Sequence, residues 1–104
     1  MHKVLIDKFI VPEESIAAFL CEIRKSASLL RTIPGFVEGF IYENTDGTSP
    51  HNIVTTAVWQ NEEAFENAKR MATAEFQKIG FNPQEIMSRL KIKMERGVYE
   101  RSPY

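Results

Sequence analysis

Apolar and polar positions divide the chain into six regular segments and a short extra one. Val4, Leu5, Ile6, Phe9, Ile10 and Val11 dominate residues 2–11 on both faces, which reads as a strand covered on both sides. Pro12 ends it, and Glu13 and Glu14 stand where a helix N-terminus favours negative charge. Ile16, Phe19, Leu20, Ile23, Ala27 and Leu30 recur at spacings of three and four, the mark of an amphipathic helix ending near Leu30. "IPGF" breaks that helix. A second strand runs from Phe36 to Asn44, and alternation puts Phe36, Phe40 and Tyr42 on one face with Val37 and Ile41 on the other. "NTDGTSPHN" is rich in turn residues, with Asp46-Gly47 its expected corner, and "IVTTAVW" forms a third strand over Ile53–Trp59. Asn61 is placed to cap a second helix whose apolar stripe is Ala64, Phe65, Ala68, Met71, Ala72 and Phe76. "GFNP" ends it. A short helix over Pro83–Leu90 and a last strand over Ile92–Tyr99 follow, with a loose tail.

The order β-α-β-β-α-β predicts an α+β, ferredoxin-like fold: one antiparallel sheet with two helices on one face, and strands near 2–11, 35–44, 52–60 and 91–100. A length of 104 residues predicts one domain spanning 1–104. Such a sheet leaves its second face bare. Apolar residues on that face predict a homodimer with the sheets face to face.

Composition narrows the classes. Apolar and charged fractions of 43% and 26% are ordinary for a globular protein, and a net charge of −1 gives no electrostatic case for nucleic acid or an anionic membrane surface. The longest apolar runs fall far short of the roughly 20 residues a membrane span needs. Asp7 and Lys8 interrupt what would be the apolar core of a secretory signal, so a cytoplasmic protein is expected. Cys21 is alone, which excludes an intrachain disulfide and fits a reducing compartment; "AAFLCEI" suggests that it is a buried small hydrophobe. His2 and His51 are the only histidines, and no pair sits at metal-ligand spacing. Neither a metal nor any other cofactor is expected.

"IPGFVEGFIYE" followed by "VTTAVWQNEEAFENA", in a chain near one hundred residues, resembles the antibiotic biosynthesis monooxygenase domain family. The resemblance covers nearly the whole chain. It implies a dimeric α+β barrel in which each protomer holds a pocket between sheet and helices. Members include small oxygenases that oxidise phenolic polyketides or quinols without metal or flavin, haem-degrading enzymes and a sugar-phosphate isomerase. The haem-degrading members share a strand-one Asn, a helix-two Trp and a later helix-two His. The positions here resemble Asp7, Ala68 and roughly Lys78, so no haem is expected. The resemblance also implies a strand-end position for Trp59, where a large ring either plugs the sheet–helix junction or lines the pocket.

Few residues remain that could carry chemistry. Asp7 interrupts "VLI-D-KFIV" in a strand that should be covered, and a buried carboxylate must be paired or raise its pKa. One reading is a salt bridge, with Arg96 and Lys93 as partners. The other is a general base drawing a proton from a phenol or enol. The resemblance turns its carboxylate toward the helices, with Leu5 and Phe9 on that face and Val4, Ile6 and Ile10 on the other. His51 begins strand three and could titrate at a pocket mouth. Phe40, Tyr42, Trp59, Met71 and Phe76 could line a cavity for a flat aromatic ligand or simply fill the core. The expected function is therefore a cofactor-independent monooxygenase of small aromatic or quinol-type compounds. The alternative is a non-catalytic, small-ligand-binding dimer of the same fold. An empty cavity touching Asp7 favours the first, and a filled interior the second.

Overall fold

The computed structural model describes residues 1–103. Strand β1 (Lys3–Ile10) leads through a single 3₁₀ turn into helix α1 (Ile16–Leu30). Strands β2 (Phe36–Glu43) and β3 (Ile53–Trp59) form a hairpin. Helix α2 (Glu62–Lys78), short helix α3 (Pro83–Arg89) and strand β4 (Lys93–Glu100) complete the chain. The sheet order is β2-β3-β1-β4 with every neighbour antiparallel, the ferredoxin-like arrangement. Among the described residues no helix is long and apolar enough to cross a membrane.

Local chemistry places these elements. The Asn61 side chain accepts from the Ala64 N–H at 2.8 Å, and Glu62 and Glu63 occupy the first turn of α2. Asn82 does the same for α3, accepting from Glu85 N–H at 3.1 Å, with Pro83 in the first turn. Gly35 takes a φ of +91°, and an added Cβ there would sit 2.5 Å from Ala64 Cβ. Its carbonyl accepts from Gln60 N–H at 2.8 Å. Next to it, Phe36 meets Trp59 edge to face, ring centroids 5.3 Å apart. The two halves of the sequence motif are thus one packed junction, where the chain entering β2 touches the chain leaving β3.

The pairing register shows which residues share a face. Leu5, Asp7 and Phe9 of β1 lie toward the helices, as predicted, and Ile10 on the other face is exposed. In β2 the alternation read from the sequence fails. Phe36 pairs with Trp59 and Glu38 with Val58, so Val37 is an inserted bulge residue. One extra residue flips every later side chain. Gly39 and Ile41 therefore face the helices, while Phe40 and Tyr42, half-exposed, face out. Cys21 is exposed rather than buried, because it sits off the stripe of Phe19, Leu20 and Ile23 that packs on the sheet.

The core between sheet and helices forms two separate clusters. One is Phe9, Val11, Phe19, Ile53 and Ile86, toward α3. The other is Ile33, Ala57, Trp59, Phe65 and Ala68, toward the start of α2. A cavity opens between them.

Candidate functional site

Following the register across the sheet gives one continuous row, Ile41–Thr55–Asp7–Arg96, one residue from each strand. All four line a cavity of about 860 Å³ between the sheet and helices α1 and α2. The next row, Gly39–Ala57–Leu5–Val98, carries small residues at its β2 and β3 positions, which leaves room above the floor. The walls are mainly apolar, from Phe19, Ile23 and Leu30 of α1 and Phe65, Ala68 and Phe76 of α2. The size lies within the range of pockets for small organic ligands.

The polar feature of the floor is an ion pair. Arg96 donates from Nε to Asp7 Oδ1 at 2.8 Å and from Nη2 to Asp7 Oδ2 at 2.9 Å, a bidentate fork. Asp7 is among the few buried polar residues, with a side chain 10% exposed against 56% for Arg96. The hydrogen bond to Asp7 raises the pKa of Arg96 against the lowering effect of its own burial, which keeps the guanidinium charged. Of the two partners proposed for Asp7 from sequence, the antiparallel register selects Arg96.

The other predicted site residues divide by position. Trp59 and Phe76 border the cavity. Trp59 is also 2% exposed and packed on Phe36, so it both closes the junction and lines the space. Phe40 also borders it, although its register with Thr56 turns its ring to the open face. Tyr42, Met71 and His51 are not on the cavity wall. The Val37 bulge carries Tyr42 outward, and Met71 lies on the exposed flank of α2 beside Asn67. His51 Nε2 sits 3.5 Å from Glu95 Oε2, and Glu95 alternates with Arg96 onto the opposite face. Sequence reasoning did not place Thr55 and Arg31 at the cavity. Thr55 was hidden by the polar pair "TT", in which only one member faces inward. Among the described residues no cluster of three or more histidine, cysteine and acidic side chains is placed to hold a metal ion.

Comparison with solved structures supports the architecture. SnoaB, a cofactor-independent oxygenase from Streptomyces nogalater, superposes with a TM-score of 0.70 at 20% identity, covering 99% of this chain and 95% of that one. A conserved protein from Methanosarcina mazei Go1 gives 0.75 at 16% identity, over 98% and 94% of the two chains. Rv0793 from Mycobacterium tuberculosis gives 0.70 at 12%, over 100% and 98%. At these identities the likeness is one of fold. No curated protein matches the chain in sequence. The antibiotic biosynthesis monooxygenase family model, however, matches residues 1–79, well over half of the 104, and this chain belongs to that family.

Proposed function

We propose that the whole chain, 1–104, acts as one domain that is a cofactor-independent monooxygenase of a small aromatic or quinol-type compound. The observation that carries this reading is the cavity: about 860 Å³, aromatic at its walls, with Asp7 and Arg96 at its floor. A filled interior would have favoured a protein that kept the fold without the chemistry. A flat substrate held between Trp59 and Phe76 would place its hydroxyl oxygen on the polar floor. Its anion is electron-rich enough to react with oxygen directly. A ring carbon that is CH2 in the keto tautomer becomes C=O, and the second oxygen atom leaves as water. The substrate supplies all four electrons, so no reductant is needed. The protein's part is to bind the ring, stabilise its anion and exclude water. SnoaB, of the same fold, is a cofactor-independent oxygenase, which supports the reading.

The active form proposed is a cytoplasmic homodimer joined through the open sheet face. The test of function is oxygen consumption by the purified protein against a panel of quinols and hydroxylated aromatics. Uptake above the rate of spontaneous oxidation, lost when the cavity is filled by Ala68→Trp, is the expected result. No uptake with any member of the panel would leave ligand binding without chemistry as the better description.

A further inference from the structure

The proposed reaction needs a substrate anion, yet the cavity wall holds no histidine and its buried carboxylate is already bound through both oxygens. We propose that Arg96 is the anchor of this cavity, that Asp7 is the residue positioning it, and that the ligand is held as an oxyanion, a phenolate or enolate. The inference rests on the cavity being the binding site argued above.

A guanidinium carries five N–H donors in one plane. Two are committed to Asp7, the Nε–H and one on Nη2. The second Nη2–H and both on Nη1 point elsewhere, and no other side-chain hydrogen bond of Arg96 exists among the described residues. Exposure assigns the roles. Both residues line the cavity, but the Arg96 side chain is half-exposed whereas that of Asp7 is buried, so the N–H groups of Arg96 are the more accessible of the two to an arriving oxygen atom.

The remaining charges on the wall agree. Glu22 is paired with Lys25 at 3.3 Å and Lys69 with Glu66 at 3.0 Å. Arg31 donates to the Gly39 carbonyl at 2.9 Å and has no carboxylate partner among the described residues. The wall therefore offers cationic donors and no unneutralised carboxylate. A fixed cation beside a phenol lowers the phenol's pKa. The O–H bond breaks, the electron pair stays on oxygen and the proton passes to water, so the cavity needs no base of its own. The bidentate clamp on Asp7 fixes the guanidinium plane, so less order is lost when the ligand binds. Arg96 lies beyond the stretch matched by the family model, so that match does not reach it.

The test uses 4-nitrophenol, whose anion is yellow and whose neutral form is colourless. Its ionisation is titrated free and bound to the whole protein. In the unaltered protein the bound probe is expected to ionise at least about one pH unit below the free probe, a tenfold preference for the anion. Arg96→Met should abolish the preference. Should that variant fail to fold, Asp7→Leu with Arg96→Met replaces the pair by apolar groups and should bind only the neutral probe. Asp7→Asn should reduce the preference and Asp7→Glu restore part of it. A purely electrostatic neighbour would do the reverse, since removing its charge would strengthen anion binding. An unshifted probe, an equal shift without Arg96, or no binding at millimolar concentration would overturn the proposal. Oxygen uptake separates the two ideas. Anion preference without uptake of oxygen by any panel member counts against the oxygenase alone. Uptake without anion preference counts against the anchor alone.

Discussion

Asp7 and Arg96 are unequal members of their ion pair, because one is buried and the other half-exposed. Arg96→Met strands a carboxylate in a mainly apolar cavity, whereas Asp7→Ala leaves a guanidinium that water can still reach. The first should cost about 2–3 kcal/mol and the second less, since breaking a pair is most costly when the remaining charge is buried. Urea unfolding measures both. Gly35 makes a second prediction. Its positive φ and its 2.5 Å approach to Ala64 each oppose a side chain. Gly35→Ala should destabilise by about 2 kcal/mol or more, a fall in Tm of about 10 °C for a domain this size. Equal Tm values would mean that the junction relaxes freely. Haem gives a third. The position resembling the family's helix-two Trp is Ala68, buried on the cavity wall, and Lys78 is exposed and paired with Glu75. No axial imidazole stands on α2, so hemin should cause no saturable Soret shift at one per protomer.

The elements were legible in the sequence wherever the local code was complete. The cap at Asn61, the breaks at "IPGF" and "GFNP", and the β-branched run of β3 all mean in the structure what they mean in isolation. Strand β2 was the exception. Its eight residues alternate well enough to suggest a regular strand, and nothing in "FVEGFIYE" marks Val37 as an inserted residue. The bulge arises from a long-range demand: Phe36 must meet Trp59 while Gly39 and Ile41 face the helices. Tyr42 was consequently assigned to the pocket when it belongs to the open face, and Phe40, which does border the cavity, turns its ring to that same open face. The cavity was hidden for a related reason. It is the gap between two clusters on different pairs of elements, and periodicity along one helix cannot show that a stripe faces empty space. Asp7 could be recognised as anomalous, but its partner needed the β1–β4 register. The cap of α2 can be tested at this scale. Asn61→Ala removes the acceptor of the Ala64 N–H and should cost about 1 kcal/mol, seen as a lowered urea midpoint at unchanged m-value. Because α2 supplies one wall of the cavity, hydrogen exchange in its first turn should accelerate as well.

The whole molecule is thin, with principal extents of 40 × 37 × 17 Å, one layer of sheet and one of helix. Its accessible surface is 6916 Å², against about 6000 Å² for a compact monomer of 12.0 kDa. The open sheet face bears Ile10, Phe40, Tyr42 and Tyr99, all at least a third exposed. Phe40 and Tyr42 lie side by side on that face, ring centroids 6.1 Å apart and planes tilted by 52°, on the side of the sheet away from the helices. A stable protein interface removes about 800 Å² per partner, so the second face of a four-stranded sheet is of adequate size. An isologous pairing of two such faces would bury these aromatics and make the layered structure complete. Light scattering at micromolar concentration should therefore return twice 12.0 kDa. The bulge decides which residues test it. Charged substitution at Ile41 would strike the interior and at Val37 only the bulge, whereas Phe40→Glu with Tyr42→Lys places two charges on the shared face. That double variant should dissociate to 12.0 kDa while keeping its circular dichroism. Tyr42→Lys alone should keep the 4-nitrophenol preference, because Tyr42 is off the cavity wall and Asp7 and Arg96 belong to the same protomer on the opposite side of the sheet. A monomeric unaltered protein would defeat the dimer. A dimer indifferent to both charges would place its interface elsewhere.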